Sequence, residues 1–565
     1  MSTIKRVYFY IVSIITLGIF AAGGRTLLRL GFDIIKGQNL AEIRTPGFTT
    51  EQLSLGLALL IIGAALWFPF WRAVQRQVAG NPVEVGSAIR KLFLNIILLV
   101  TALVTLYTSV EFLAWLMSGV PRQQFPAGGL ANLIVAGVIW YYHWRLEQGE
   151  GQPSPAARTL KRWYIYLLSS WGLVSLSLNL VQSINFVIFR LPVWGETIAY
   201  SGFGNSSLQE NLSWIVLGGA TWAFHWFYLA RGDFGSTLRQ VYVYLLAILG
   251  GALAGLVALI TTLFNIFRFA LGGVSTEGST YFLFLGWAIP TILVATTVWL
   301  YHQKAVQEEA AQLHERQLSA RRIYLYIMSF LGLATLISGL AVFLGILLNL
   351  WIHAVSSVTV VSAGWWHDQL SICLALLIVA TPIWLYYWKT VFQMATEGGV
   401  AERGARSRRV YLYAILAIVI ILLAADLVNI IYQLLNGLLQ GAFGVDVLRK
   451  MSWSLQTLLL PVPVLLYHWR VLRQDQHLGT EKLPSAKTVT LLAGESAADL
   501  VSRLEQSLGS RIRLLHHLGQ TPEEIPAMSD EEIDSLVSDI QAAPSDKVML
   551  VAAGGRVMVL PYQDK

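Results

Sequence analysis

The chain has 565 residues, 55% hydrophobic and only 13% charged, with a net charge of +7 and a mean hydropathy of +0.58. Soluble globular chains carry about 25% charged residues, so this composition excludes a soluble enzyme and points to an integral membrane protein with room for about a dozen spans of roughly 20 residues each. The single cysteine, Cys373, excludes an internal disulfide and a thiolate metal cage.

The chain opens with Lys5, Arg6 and an apolar run from Val7, which has the outline of a signal peptide. The same opening returns five more times, so the first run is expected to be a retained helix. In chain order, a basic or polar anchor and two positions spaced i, i+2 precede long apolar runs: Arg6, Tyr8 and Tyr10; Lys91, Phe93 and Asn95; Arg162, Tyr164 and Tyr166; Gln240, Tyr242 and Tyr244; Arg322, Tyr324 and Tyr326; Arg409, Tyr411 and Tyr413. The Lys91 copy is degenerate. Successive anchors lie 71 to 87 residues apart, enough for two spans and two connections, and each unit is predicted to be a helical hairpin.

The second helix of each hairpin closes on a signature of its own. It reads Trp67, Phe70 and Trp71; Trp140, His143 and Trp144; Trp222, His225 and Trp226; Trp299 and His302; Trp384, Tyr387 and Trp388; and, last, His468 and Trp469. A spacing of four places paired tryptophans on one helical face. Serines seven residues past the anchor mark the odd hairpins (Ser13, Ser169, Ser329), where the even ones have Leu98, Ala247 and Leu416. This alternation divides the chain into three four-helix modules, residues 1–150, 160–305 and 320–475. The expected fold is an all-α polytopic membrane protein of about twelve transmembrane helices in six tandem hairpins, followed by a small C-terminal α/β domain.

These R-x-Y-x-Y openings and H-W closings, which cover residues 5–473, resemble a family of bacterial multi-pass membrane proteins known only as a domain of unknown function. The resemblance implies the membrane fold and carries no activity with it. The copies at Lys91, Phe70 and Tyr387 depart from the pattern.

Lysine and arginine fix the expected orientation. The side on which hairpins begin and end carries 23 of them and the opposite side nine, so the richer side and both termini are expected in the cytoplasm, at the plasma membrane. An even number of spans per unit makes the repeats parallel, whereas many transporters use inverted repeats.

His143, His225, His302 and His468 hold equivalent places. With Trp144, Trp226 and Trp469 they are read as an interfacial belt of rings, against alternatives of bis-histidine haem ligation and a quinone or lipid site between modules. Polar residues inside apolar runs give a candidate membrane site: Glu111, Gln182 and Asn429 stand 20 residues past their anchors and Asp426 stands 17 past. At 1.5 Å per residue that is about 26–30 Å, the far edge of the hydrocarbon. Snorkelling or an interhelical hydrogen bond is weighed there against a polar pathway. Pro69, Pro290, Pro382, Pro461 and Pro463 are expected to kink second helices. His353, His367 and Asp368 flank a loop and are too scattered for a metal-site assignment.

Composition changes after Arg473. Residues 474–485 read as a linker, and residues 486–565 as strand 488–492, helix 497–508, strand 512–518, helix 529–542 with a Ser529/Glu532 capping box, and two strands joined at Gly554 and Gly555. This part has 13 acids and 8 bases from residue 478, which disfavours nucleic acid and suits docking on a basic face. His516 and His517, successive on a strand, point to opposite faces. No catalytic constellation, metal site or cofactor motif appears. The expected function is a non-enzymatic membrane scaffold or sensor, with the lipid bilayer and a protein partner of the C-terminal domain as its contacts. The alternatives are a transporter or channel with a polar path near Glu111 and Asp426, and a redox subunit.

Overall fold

A computed structural model describes residues 3–36, 47–80, 82–121, 124–150, 154–191, 207–234, 236–274, 279–310, 318–355, 364–441, 444–480, 488–493, 498–508, 512–516, 528–545, 547–553 and 556–563. Residues 481–485 of the expected linker, His517 and the Gly554-Gly555 turn lie outside them, as do the side chains of His353 and His516, whereas residues 474–480 are helical rather than linker. The described residues form two compact units, one of residues 1–392 and 419–462, the other of residues 393–418 and 463–565.

Long helices follow one another in chain order: α1 Thr3–Lys36, α2 Phe48–Ala79, α3 Ala88–Met117, α4 Ala127–Gln148, α5 Pro155–Ile188 and α6 Leu208–Ala223, which runs on as a π-helix over Phe224–Leu229. Next come α7 Thr237–Ala270, π-helical over Val241–Ile248, α8 Leu285–Ala310, α9 Leu318–Val355, α10 Trp365–Glu397, α11 Arg406–Leu439, α12 Val445–Leu459 and α13 Pro461–Thr480. Serine caps start several of them, Ser87 accepting from the Arg90 amide and Ser154 from Ala157, which satisfies amides that have no intrahelical partner. Among the described residues, ten helical stretches are long and apolar enough to cross a membrane. Their outer surfaces suit that environment: Ile61, Val138, Ile421 and Leu439 are all exposed, a pattern that lipid covers and water does not.

In the first unit each early hairpin packs on itself, α1 on α2, α3 on α4, α5 on α6 and α7 on α8. Small residues permit the approach. Gly172 and Gly332, each ten residues past its anchor arginine, lie against the backbone of Trp222 and Trp384; a Cβ on Gly172 would stand 2.6 Å from the Trp222 nitrogen, and one on Gly332 would stand 2.9 Å from the Trp384 nitrogen. Close backbone contact of this kind maximises dispersion where lipid supplies no hydrophobic drive. Longer-range contacts repeat as well, with α1 on α4, α5 on α8 and α9 on α12. The marker serines Ser13, Ser169 and Ser329 are all fully buried.

Pro69, Pro290 and Pro382 lie within unbroken helices. Pro461 does more than kink: α12 ends at Leu459 and α13 begins on Pro461, because a proline nitrogen cannot donate and its ring displaces the preceding turn.

Within the second unit, the C-terminal residues build β1 Thr488–Ala493, α14 Ala498–Leu508, β2 Arg513–His516, α15 Asp530–Ala542, β3 Lys547–Ala553 and β4 Arg556–Tyr562. The sheet order is β2-β1-β3-β4, β1 parallel to β2 and β3, and β3 antiparallel to β4. Val489, Leu491, Val548 and Leu550 alternate inward against Leu500 and Leu504 of α14 and Ile533, Leu536 and Ile540 of α15. The capping box at Ser529 and Glu532 is formed in both directions.

Candidate functional site

Polar and aromatic residues gather where the hairpins open and close. Its tryptophans stack as the spacing of four requires, Trp67 on Trp71 with centroids 6.2 Å apart and 11° between planes, and Trp140 on Trp144 at 5.8 Å and 10°. Trp71 Nε1 donates to Tyr142 Oη at 2.6 Å, and the equivalent Trp226 Nε1 donates to Tyr301 Oη at 2.8 Å.

The residues of the expected belt differ in burial. Trp469 is 55% exposed, but Trp226 is buried and the four imidazoles are interior, with exposures of 1% for His143, 6% for His225, 0% for His302 and 1% for His468. Trp144 is half-buried. The four histidines are therefore packed inside protein. Each Nδ1 lies 2.8–2.9 Å from the carbonyl four residues earlier, Ile139, Thr221, Val298 and Val464 in turn. That carbonyl can only accept, so Nδ1 carries the proton and Nε2 keeps its lone pair. Tyr242 Oη, which accepts from Trp222 Nε1 at 2.8 Å, lies 3.4 Å from His302 Nε2 and can donate to it. Phe93 stands where that tyrosine would reach His143.

Buried ion clasps hold the even hairpins shut. Arg90, fully buried, donates from Nε to Glu150 Oε1 at 2.8 Å and reaches the same carboxylate through Nη2, while Lys91 Nζ takes Oε2 at 2.8 Å. Arg239 pairs with Glu309, donates to the Ala230 carbonyl at 3.0 Å, and stacks 4.3 Å over Trp226. Arg408 Nε meets Asp475 Oδ2 at 2.6 Å in the second unit. Each arginine stands three residues before the first ring position (Phe93, Tyr242, Tyr411), and each acid stands seven past the histidine. Sequence reasoning took residues 91, 240 and 409 as anchors and missed the arginine one place earlier. The recoverable signal was Arg at 90, 239 and 408 matched by an acid seven past each even-hairpin histidine. Odd hairpins pair differently, Arg6 with Glu84 at 3.1 Å and Arg162 Nε with Asp233 at 2.8 Å, where Tyr166 and Ser236 also donate.

At the other end of the bundle, the candidate polar residues divide. Asp426 Oδ1 accepts from Thr457 Oγ1 at 2.8 Å, and Asn429 Nδ2 donates to Ser454 Oγ at 2.8 Å, so these two share the seam between α11 and α12. Glu111 lies instead against Gly129 of α4, and Gln182 stands half-buried on α5. No hydrogen bond or ion pair among the described residues joins Glu111 to the Asp426 seam. Asp368, which flanks a loop, pairs with Arg268 at 2.6 Å.

A family model described as a domain of unknown function (DUF5671) matches the chain three times, over residues 6–128, 162–289 and 322–448. No curated protein and no solved structure matches it.

Proposed function

From the premise that this chain belongs to the DUF5671 family, we propose that it is a membrane scaffold or sensor: twelve spans in three tandem four-helix modules, coupled to a cytoplasmic α/β domain that binds a protein partner. The family matches begin at 6, 162 and 322, within a few residues of the module starts, and the contacts of α1 with α4, α5 with α8 and α9 with α12 repeat at the same interval. Helix α4 has 22 residues, about 33 Å at 1.5 Å per residue, and α6 with its π-helical extension is of similar length. Both are long enough to reach across a hydrocarbon core of about 30 Å, which supports counting them with the other ten. The excess of basic residues on the anchor side favours both termini in the cytoplasm.

The observation that carries the scaffold reading is that the clasp acids and the Asp426 seam are each held within a single hairpin. Glu150, Glu309 and Asp475 hold an arginine within their own hairpin, and Asp426 and Asn429 are held by Thr457 and Ser454 in theirs. A conducting path needs such groups to line one continuous route. The test is flux in proteoliposomes containing the full chain, beside a co-purification comparison of the full chain with one ending at residue 485. Scaffolding expects no proton or cation flux above empty vesicles, and a partner lost with the C-terminal domain. Flux abolished by Asp426→Asn would establish the transport reading in its place.

A further inference from the structure

Between α1, α3 and α4 lies a cleft of about 280 Å³, close to the lower end of small-molecule sites at about 300–1,000 Å³. Its walls are apolar through most of its length, with Ile14 and Ile139 at one end and Arg25 and Asn132 at the other. The height of these polar groups follows from the helix register. A Cβ on Gly24 would touch Val135 and one on Gly128 would touch Arg29, so Asn132 falls close to the level of Arg25. From Ile14 to Arg25 the helix rises about 16 Å, which matches one leaflet, half of a hydrocarbon core of about 30 Å. On α3 the wall residues Ile96, Val100 and Val104 are 41%, 53% and 37% exposed, and the cleft therefore opens sideways, where a chain can enter from the bilayer.

Arg25 makes no ion pair or hydrogen bond among the described residues, in contrast to the clasped arginines at the opposite end. An arginine at the edge of hydrocarbon is stabilised by an anion, and apolar walls one leaflet deep select an anion that carries an alkyl chain. We infer that this cleft binds an anionic phospholipid, with one acyl chain along α1 and the phosphate on Arg25 and Asn132.

Gly18 provides the test. It lines the cleft, and a Cβ there meets nothing within 4 Å, so Gly18→Leu places its side chain at the cleft wall from a Cβ that has room, and leucine favours helix more than glycine does. Arg25→Gln removes the charge and no described ion pair. The full chain and both variants, in detergent, are titrated with dioleoyl phosphatidylglycerol or dioleoyl phosphatidylcholine, and bound lipid is counted by native mass spectrometry. The wild-type chain is expected to retain one phosphatidylglycerol in preference to phosphatidylcholine. Gly18→Leu is expected to weaken that binding by about tenfold or more, which is about 1.4 kcal/mol, and Arg25→Gln to bring the two lipids level. Retention by Gly18→Leu equal to wild type would remove the cleft as the site. A phosphatidylglycerol preference that survives Arg25→Gln, or no preference in the wild-type chain, would overturn the headgroup assignment.

Discussion

Arg239 and Glu309 stand 70 residues apart in sequence, yet the guanidinium of one grips the carboxylate of the other while lying 4.3 Å over the face of Trp226. Arg90 with Glu150 and Arg408 with Asp475 repeat the pairing. Removing one partner of a buried pair leaves an uncompensated charge and costs about 3–5 kcal/mol, whereas an exposed pair contributes about 0–1 kcal/mol. Glu150→Ala, which strands both Arg90 and Lys91, is expected to reduce the yield of monodisperse protein and lower its melting temperature sharply. Glu308→Ala, which breaks the exposed pair with Lys304, is expected to leave both unchanged in the same thermal melt.

Glycines divide by what stands opposite them. Gly172→Val forces its side chain onto the Trp222 backbone and should destabilise the α5–α6 hairpin by at least the 1–3 kcal/mol typical of overpacking. Gly18→Ala meets open space and should stabilise α1 by roughly 0.5–1 kcal/mol. Melting curves of the two purified variants, read beside wild type, separate these outcomes by sign.

The interior histidines are expected to tolerate an aromatic ring according to what their Nε2 meets. Phe70 already holds the equivalent place in the first hairpin, and the buried Nε2 of His143 has no hydrogen-bond partner among the described residues. His143→Phe should cost within about 1 kcal/mol, since little net bonding is lost. His302→Phe also deprives Tyr242 Oη of an acceptor and should cost more; equal melting temperatures for the two variants would contradict this.

In the C-terminal domain, the Ser529 amide and hydroxyl bond the Glu532 carboxylate and hold its pKa below the ordinary 4.5. A depressed carboxylate contributes stability above its ordinary pKa, and that contribution is lost as pH falls from 4.5 through the lowered value. Hydrogen exchange over residues 530–542 of the full chain should therefore lose protection on acidification in that window. Glu532→Gln, which does not titrate, should show no such loss from this group.

Much of the fold was legible because its signals are local. Apolar runs of span length, the Trp-x-x-x-Trp spacing and the Ser529/Glu532 box each depend on residues within a few turns of one another. The clasps were not legible in the same way. Gln240 broke the run of basic anchors and drew attention from Arg239, whose partner lies 70 residues away. A Trp or Gln and then a basic or other interfacial residue follow each imidazole, which suggests a belt, yet the helix turns the imidazoles inward while Trp469, one residue past His468, turns out. For the four polar candidates, similar distances from an anchor predict similar depth but carry no information about helix rotation, and among the described residues Asp426 and Asn429 share a seam.

Sequence alone determined the solvent, the repeat and the order of elements, because hydropathy and periodicity act along the chain and need no partner to be read. Tertiary structure decided which arginine holds which acid, that the histidines face protein, where the cleft beside Arg25 opens, and the β2-β1-β3-β4 order of the sheet. Those choices depend on how helices rotate and cross, which small residues such as Gly172 and Gly332 settle through backbone contact at a distance of some fifty residues.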